Sequence, residues 1–129
     1  MVKVYLDANI LMDILTHRQE FDINSLGSNR PFTSTLSVSI AAYAAKVTQP
    51  DKIFKDVIDQ FDLIPLSSDI VYRSMRGPES DFEDNAQLNS ASDVNADLFV
   101  TRDKALLKKG LFGKAQIIHP KDLASYLKK

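Results

Sequence analysis

Four aspartates fall where a folded α/β chain would gather them. Asp7 ends the apolar run Val2-Lys3-Val4-Tyr5-Leu6, Asp81 and Asp84 open a segment with helical periodicity, and Asp103 closes the run Leu98-Phe99-Val100-Thr101. In an open parallel α/β sheet, the carboxyl ends of the strands and the starts of the helices that follow border one crevice, and ligands bind there. Carboxylates massed in that crevice repel one another unless a cation lies between them. The pattern therefore points to a hard divalent ion, Mg²⁺ or Mn²⁺, with Asp7, Asp84 and Asp103 as metal ligands and catalytic residues.

Each acid also has a plainer explanation. Asp84 shares one helical face with Leu88, Ala91 and Asn95, since offsets of four, seven and eleven return to nearly the same angle. An inward acid in a first helical turn is eased by the helix dipole. The dipole accounts for one acid and not for three converging. Asp81 either reaches the same ion or only complements the dipole. Ser80-Asp81-Phe82-Glu83 has the spacing of a capping box, which makes Glu83 a cap partner rather than a ligand. Asn9 is placed to orient Asp7 or to cap the first helix, and Thr101 either adds a hydroxyl beside Asp103 or serves as a β-branched strand residue. His17 and His119 stand alone, the usual situation of surface or packing histidines.

The elements that must position these residues alternate along the chain in the manner of βα units. Strands are expected at Val2–Leu6, Pro31–Thr33, Leu63–Leu66, Leu98–Thr101 and Ala115–Ile118, the third confined to an edge or strand end by Pro65. Helices are expected over Asn9–His17, Ser34–Lys46, Asp51–Phe61, from Ser67 or Ser68 to Arg76, Ser80–Ala96 and Ala105–Lys109, and after Pro120. In the third of these, Ile53, Phe54, Val57, Ile58 and Phe61 would form the inner side. Arg18 to Arg30 reads as a polar loop with one short turn.

Composition narrows the class. The 129 residues suit a single domain spanning the chain, and the absence of cysteine removes disulfides, thiolate metal sites and Cys nucleophiles together. Without a long apolar run, and with a strand at the start of the chain, a cytoplasmic protein with no membrane partner is the expectation. A formal net charge of -1 weighs against nucleic-acid binding through an overall basic field. Distribution matters more than the sum: acid concentrates between Glu79 and Asp103, whereas Lys104, Lys108, Lys109, Lys114, Lys121, Lys128 and Lys129 load the C-terminal stretch. They form either a basic rim for a phosphodiester substrate or a solvated face.

Taken together, three segments resemble the PIN-domain family of metal-dependent nucleases, which includes VapC-like toxins. They are Val4-Tyr5-Leu6-Asp7-Ala8-Asn9-Ile10-Leu11-Met12-Asp13, Asp81-Phe82-Glu83-Asp84-Asn85-Ala86-Gln87 and Asn95-Ala96-Asp97-Leu98-Phe99-Val100-Thr101-Arg102-Asp103. The resemblance implies a three-layer α/β/α sandwich around a short, mostly parallel sheet. It also implies a Mg²⁺- or Mn²⁺-dependent endoribonuclease hydrolysing RNA phosphodiester bonds, the toxin of a toxin–antitoxin pair, with an antitoxin protein and a second copy of the chain as further partners. A fourth acid of that family falls on Ile40, and the segment before the second strand is short. The alternative is accordingly a catalytically impaired binding or scaffold module. A phosphorylatable receiver domain fits poorly, because no acid pair follows the first strand.

Overall fold

The computed structural model describes residues 1–16 and 21–127. His17, Lys128 and Lys129, and with them the expected end of the first helix, lie outside the described residues. The element order is β1 (Lys3–Leu6), α1 (Ala8–Thr16), β2 (Arg30–Ser34), α2 (Thr35–Ala44), α3 (Lys52–Ile58), β3 (Asp62–Ile64), α4 (Ser68–Met75), α5 (Phe82–Asp93), β4 (Leu98–Val100), α6 (Lys104–Lys109), β5 (Leu111–Phe112), β6 (Ala115–Ile118) and α7 (Leu123–Leu127). Short 3₁₀ turns at Ile23–Leu26 and Pro120–Asp122 complete it.

Among the described residues the strands form one sheet in the order β3-β2-β1-β4-β6-β5. Every pairing is parallel except β5 with β6. The α/β class and mostly parallel sheet follow from the alternating elements. β5 was not expected, because a two-residue strand closing on Ala115 through Gly113 carries no periodicity of its own. β3 is an edge strand, with Pro65 immediately after it.

Side chains alternate across the sheet. Val4 and Leu6 of β1 and Leu98 and Val100 of β4 enter one apolar cluster with Ile10 and Leu11 of α1 and Ala41 of α2. Tyr5 and Phe99 enter another with Ile70, Leu88, Ala91 and Leu106, from α4, α5 and α6. The Tyr5 and Phe99 rings stack across adjacent strands with centroids 5.1 Å apart.

Helix starts follow side-chain capping, since the first amides of a helix have no partner within it. Ser34 caps α2, Asp51 caps α3 and Ser67 caps α4. The expected capping box at Ser80 is corrected: Asp81 is the cap, accepting from the Asp84 amide at 3.0 Å, and Glu83 is exposed in the first turn. Aspartate competes well for this position, and one residue of offset turns Asp81 from a helical acid into a boundary one. Asn95 is also corrected. It lies beyond the helix, exposed and with φ 54°, so it does not continue the Asp84–Leu88–Ala91 face. Ile53 is 69% exposed and Phe61 lies past the end of α3, so the inner side of that helix is narrower than its periodicity suggests.

Candidate metal and phosphate site

β2, β1 and β4 run parallel side by side, so their carboxyl ends come out on one edge. Asp7 follows β1, Thr101 to Asp103 follow β4, and Ser34 ends β2. The first turn of α5 brings Asp84 to the same edge, where it feels the charges of Asp103 and Asp7.

Asp7 is 5% exposed and fully engaged. Its Oδ1 accepts from the Ala8 amide at 2.7 Å, while Oδ2 accepts from Thr101 Oγ1 at 2.7 Å and Asn9 Nδ2 at 3.2 Å. Thr101 Oγ1 in turn accepts from the Asp103 amide at 3.0 Å, so one hydroxyl ties two of the acids together. Asn9 completes the frame through its Oδ1, which accepts from the Arg102 amide at 3.4 Å. Asp103 Oδ1 caps α6, accepting from the amides of Ala105 at 2.8 Å and Leu106 at 3.2 Å. That is a structural role held alongside whatever its other oxygen does.

Burial pushes the Asp7 carboxyl up to about 6, against the Thr101 and Ala8 hydrogen bonds and with help from the Asp103 charge. Asp84 rises to about 6 as well, through partial burial first and then the charges of Asp103, Asp81, Asp7 and Glu79. No hydrogen bond reaches the Asp84 carboxylate among the described residues, whereas Asp7 and Asp103 are both held by amides. Such donors suit a hard cation in chemistry. Their spacing is wider than a closed cage: among the described residues no three acidic or histidine side chains stand at metal-holding distance. The expectation of a ready-made metal cluster is corrected on that point.

Several residues of this edge were not read from the sequence. Gln87, one turn beyond Asp84, is buried, and its Oε1 accepts from Ser37 Oγ at 2.7 Å and from the Tyr5 hydroxyl. Ser34 and Ser37 pair at 2.9 Å in the same network, and Gln87 Nε2 has no partner among the described residues. Asn85 fastens the segment entering α5, accepting from the Glu79 amide at 2.7 Å and donating to the Ser74 and Glu79 carbonyls, both at 2.9 Å. Asp13 and Arg102 form a largely buried ion pair beside Asn9. Buried amides and serines on short helices carry no hydropathy signal, so only the folded arrangement exposes them. Ile40 is half-buried on α2 and belongs to neither apolar cluster.

The basic rim is only partial. Lys104, Lys108 and Lys121 are exposed, Lys109 lies 3.8 Å from Glu79, and Lys114 pairs with Asp97 at 3.0 Å, at the opposite edge of the sheet. A groove of about 580 Å³ beside α3, lined by Gln49, Pro50, Phe54, Lys55 and Ile58, holds none of the site acids. No helix among the described residues is long and apolar enough to cross a membrane.

No family model and no curated protein matches the chain. Among solved structures it resembles VapBC2 from Rickettsia felis bound to a DNA fragment from their promoter, with TM-score 0.65 and 14% identity over 92% of this chain and 98% of the other. It also resembles FitAB bound to the IR36 DNA fragment, with TM-score 0.61 and 14% identity over 91% and 94% of the two chains. Identity this low shows a shared fold and nothing finer. The assignment to the PIN-domain family is corrected accordingly: no family model carries it, and the solved structures it resembles, VapBC2 and FitAB bound to DNA, are too distant in sequence to carry it. The placement of a missing family acid at Ile40 falls with it.

Proposed function

We propose that the carboxyl edge of this sheet hydrolyses nucleic-acid phosphodiester bonds, with RNA as the substrate class and Mg²⁺ or Mn²⁺ held by Asp7, Asp84 and Asp103. The observation that carries the reading is Asp84: a half-buried carboxylate that accepts no hydrogen bond among the described residues, and that feels the charges of Asp103, Asp81 and Asp7, is a group whose ionised form a cation would favour. The bound ion would supply Lewis acidity to the phosphate and to a water nucleophile. Asp7 and Asp103 would act from positions set by Thr101 and Asn9, and a carboxylate not fully engaged by the ion would take the proton of that water. Asp81 would hold the first turn of α5 rather than bind the ion, since its Oδ1 is committed to the Asp84 amide.

The likeness to VapBC2 and FitAB supports a further part of the reading: a role in a toxin–antitoxin pair, with an antitoxin protein as partner. The test is Mn²⁺-dependent cleavage of a mixed RNA pool by the purified protein, with single-stranded and duplex DNA in parallel and Asp7→Asn as control. Cleavage lost in the control supports the proposal. Equal cleavage by the control, or none by the parent in Mn²⁺, refutes it. The wide spacing of the acids favours one competing reading, a binding or scaffold module of the same fold without turnover. Nucleic-acid binding without cleavage would identify that module.

A further inference from the structure

Leu98 of β4, Gln116 of β6 and Leu111 of β5 stand in register across three adjacent strands, toward the edge of the sheet remote from the aspartates. Residues opposite one another in register project to the same face. On that face Leu98 and Ile118 join the apolar cluster that α7 completes with Leu123. Toward β5 the cover stops: Leu111 is 55% exposed, and Tyr126, near the end of α7, is 36% exposed. Both border one cleft of about 480 Å³, lined also by Leu98. That volume lies within the range of small-molecule clefts, about 300–1,000 Å³. Two large apolar side chains left open on one cleft differ from hydrophobic residues scattered singly over a surface.

The polar groups of the cleft are mostly donors. Asp97, the acid among its described lining residues, has both carboxylate oxygens engaged, Oδ2 by the Lys3 amide at 2.9 Å and Oδ1 by Lys114 Nζ at 3.0 Å. Lys114 keeps two further N–H donors, since an ammonium has three. The Lys3 ammonium acts on the same carboxylate, so two positive charges face one negative. Gln116 gives its backbone amide to the Asp97 carbonyl at 3.1 Å, and its exposed side-chain amide has no partner among the described residues. A surplus of donors and of positive charge beside an apolar wall matches an anion carried on an apolar body and disfavours a cation of the same shape. We propose that this cleft binds a small organic carboxylate, with Lys114 and Gln116 on the anion and Leu98, Leu111 and Tyr126 against its apolar body. The site is separate from the aspartate edge and needs no metal.

The test follows backbone amides by heteronuclear NMR in low-salt buffer while the full chain is titrated with three probes of one shape: phenylacetate, its neutral amide phenylacetamide, and the cation phenethylamine. Phenylacetate should shift the amides of Leu98, Gln116 and Leu111 and bind about fivefold more tightly than phenylacetamide, the effect of one screened ion pair. Phenethylamine should bind most weakly. Lys114→Gln should bring phenylacetate down to the level of phenylacetamide, and Leu111→Glu, at an exposed position, should weaken phenylacetate more than phenylacetamide. Equal binding of the three probes overturns the proposal. So does tightest binding of phenethylamine, a set of shifts that avoids these three amides, or no shift at all. Phenylacetate bound as tightly by Lys114→Gln as by the parent overturns it as well. Should Lys114→Gln fail to fold, Leu111→Glu decides by the same comparison, and the three-probe comparison on the parent stands without either variant. RNA cleavage, present or absent, leaves every one of these results unchanged.

Discussion

Replacing Asp84 with asparagine should make the metal-free protein more stable above neutral pH. The sign follows from linkage: a carboxyl whose folded midpoint is raised holds its proton longer in the folded state, so stability falls as pH rises between the unfolded and folded midpoints. For Asp84 these are the ordinary 3.8 and about 6. Unscreened, that difference amounts to about 3 kcal/mol above pH 6. Much of the side chain is in contact with water, and screening reduces the figure to about 1 kcal/mol at low salt. For a domain of this size that is a rise in Tm of roughly 3–5 °C. Helix-dipole reasoning predicts the opposite sign, a loss of about 0.3–1 kcal/mol on removing an acid from a first turn. Melting curves of parent and variant in chelator between pH 4 and pH 8 decide between them. The gain should vanish near pH 4 and shrink with added salt. In Mn²⁺ the order should reverse, because a ligand present at a hundred times its Kd adds about 2.7 kcal/mol to the protein that binds it. A variant less stable than the parent at every pH in chelator would refute the account of Asp84 as a repelled carboxylate.

Thr101→Val removes the donor to Asp7 Oδ2 and the acceptor of the Asp103 amide; we expect a loss of about 1–3 kcal/mol in urea unfolding and an Asp7 midpoint above the present value of about 6 in a carboxyl NMR titration. Asp97 is the reverse case. Burial pushes its carboxyl up, but the Lys3 amide at 2.9 Å and Lys114 outweigh that and leave it below the ordinary range. Its stabilisation is therefore present above the ordinary aspartate range and lost as pH falls through the lower folded midpoint, so Asp97→Asn should lower Tm at pH 7 and the difference should close in acid. Leu88→Ala, at a side chain 1% exposed behind the site, should cost about 2–5 kcal/mol by denaturant unfolding.

What could be read in advance follows the range of the interactions involved. Val2–Leu6 and Leu98–Thr101 announce themselves as strands because every residue in a buried parallel strand wants an apolar neighbour, and the acids after them are conspicuous by contrast. The face of α5 was legible as far as Leu88 and Ala91. Its start was not, because Ser80 and Asp81 are both good caps and only the fold decides between them. β5 is too short for periodicity to detect. The Asp13–Arg102 pair joins residues 89 apart in sequence, and nothing local to either one marks it. Convergence of the acids at one edge was foreseeable from topology, whereas their distances depend on which amides each carboxylate caps.

The interior of α5 has a kinetic consequence. Asn85 through Ala91, seven consecutive residues, are all buried, although the preceding Asp81, Phe82 and Glu83 are exposed. A helix enclosed on every side for two turns cannot slide or tilt without breaking together the hydrogen bonds that Asn85 and Asn89 donate to Ser74 and the one that Gln87 accepts from Ser37. Its amides should therefore be among the slowest to exchange with deuterium, opening only with the whole domain, while those of the first turn exchange early. Asp84 sits at that boundary. Any tightening of the acids around a ligand falls to side-chain torsions and one helical turn, motions of nanoseconds to microseconds. Capture of an ion at this edge should accordingly show a single fast phase in stopped flow, with no slower rearrangement behind it.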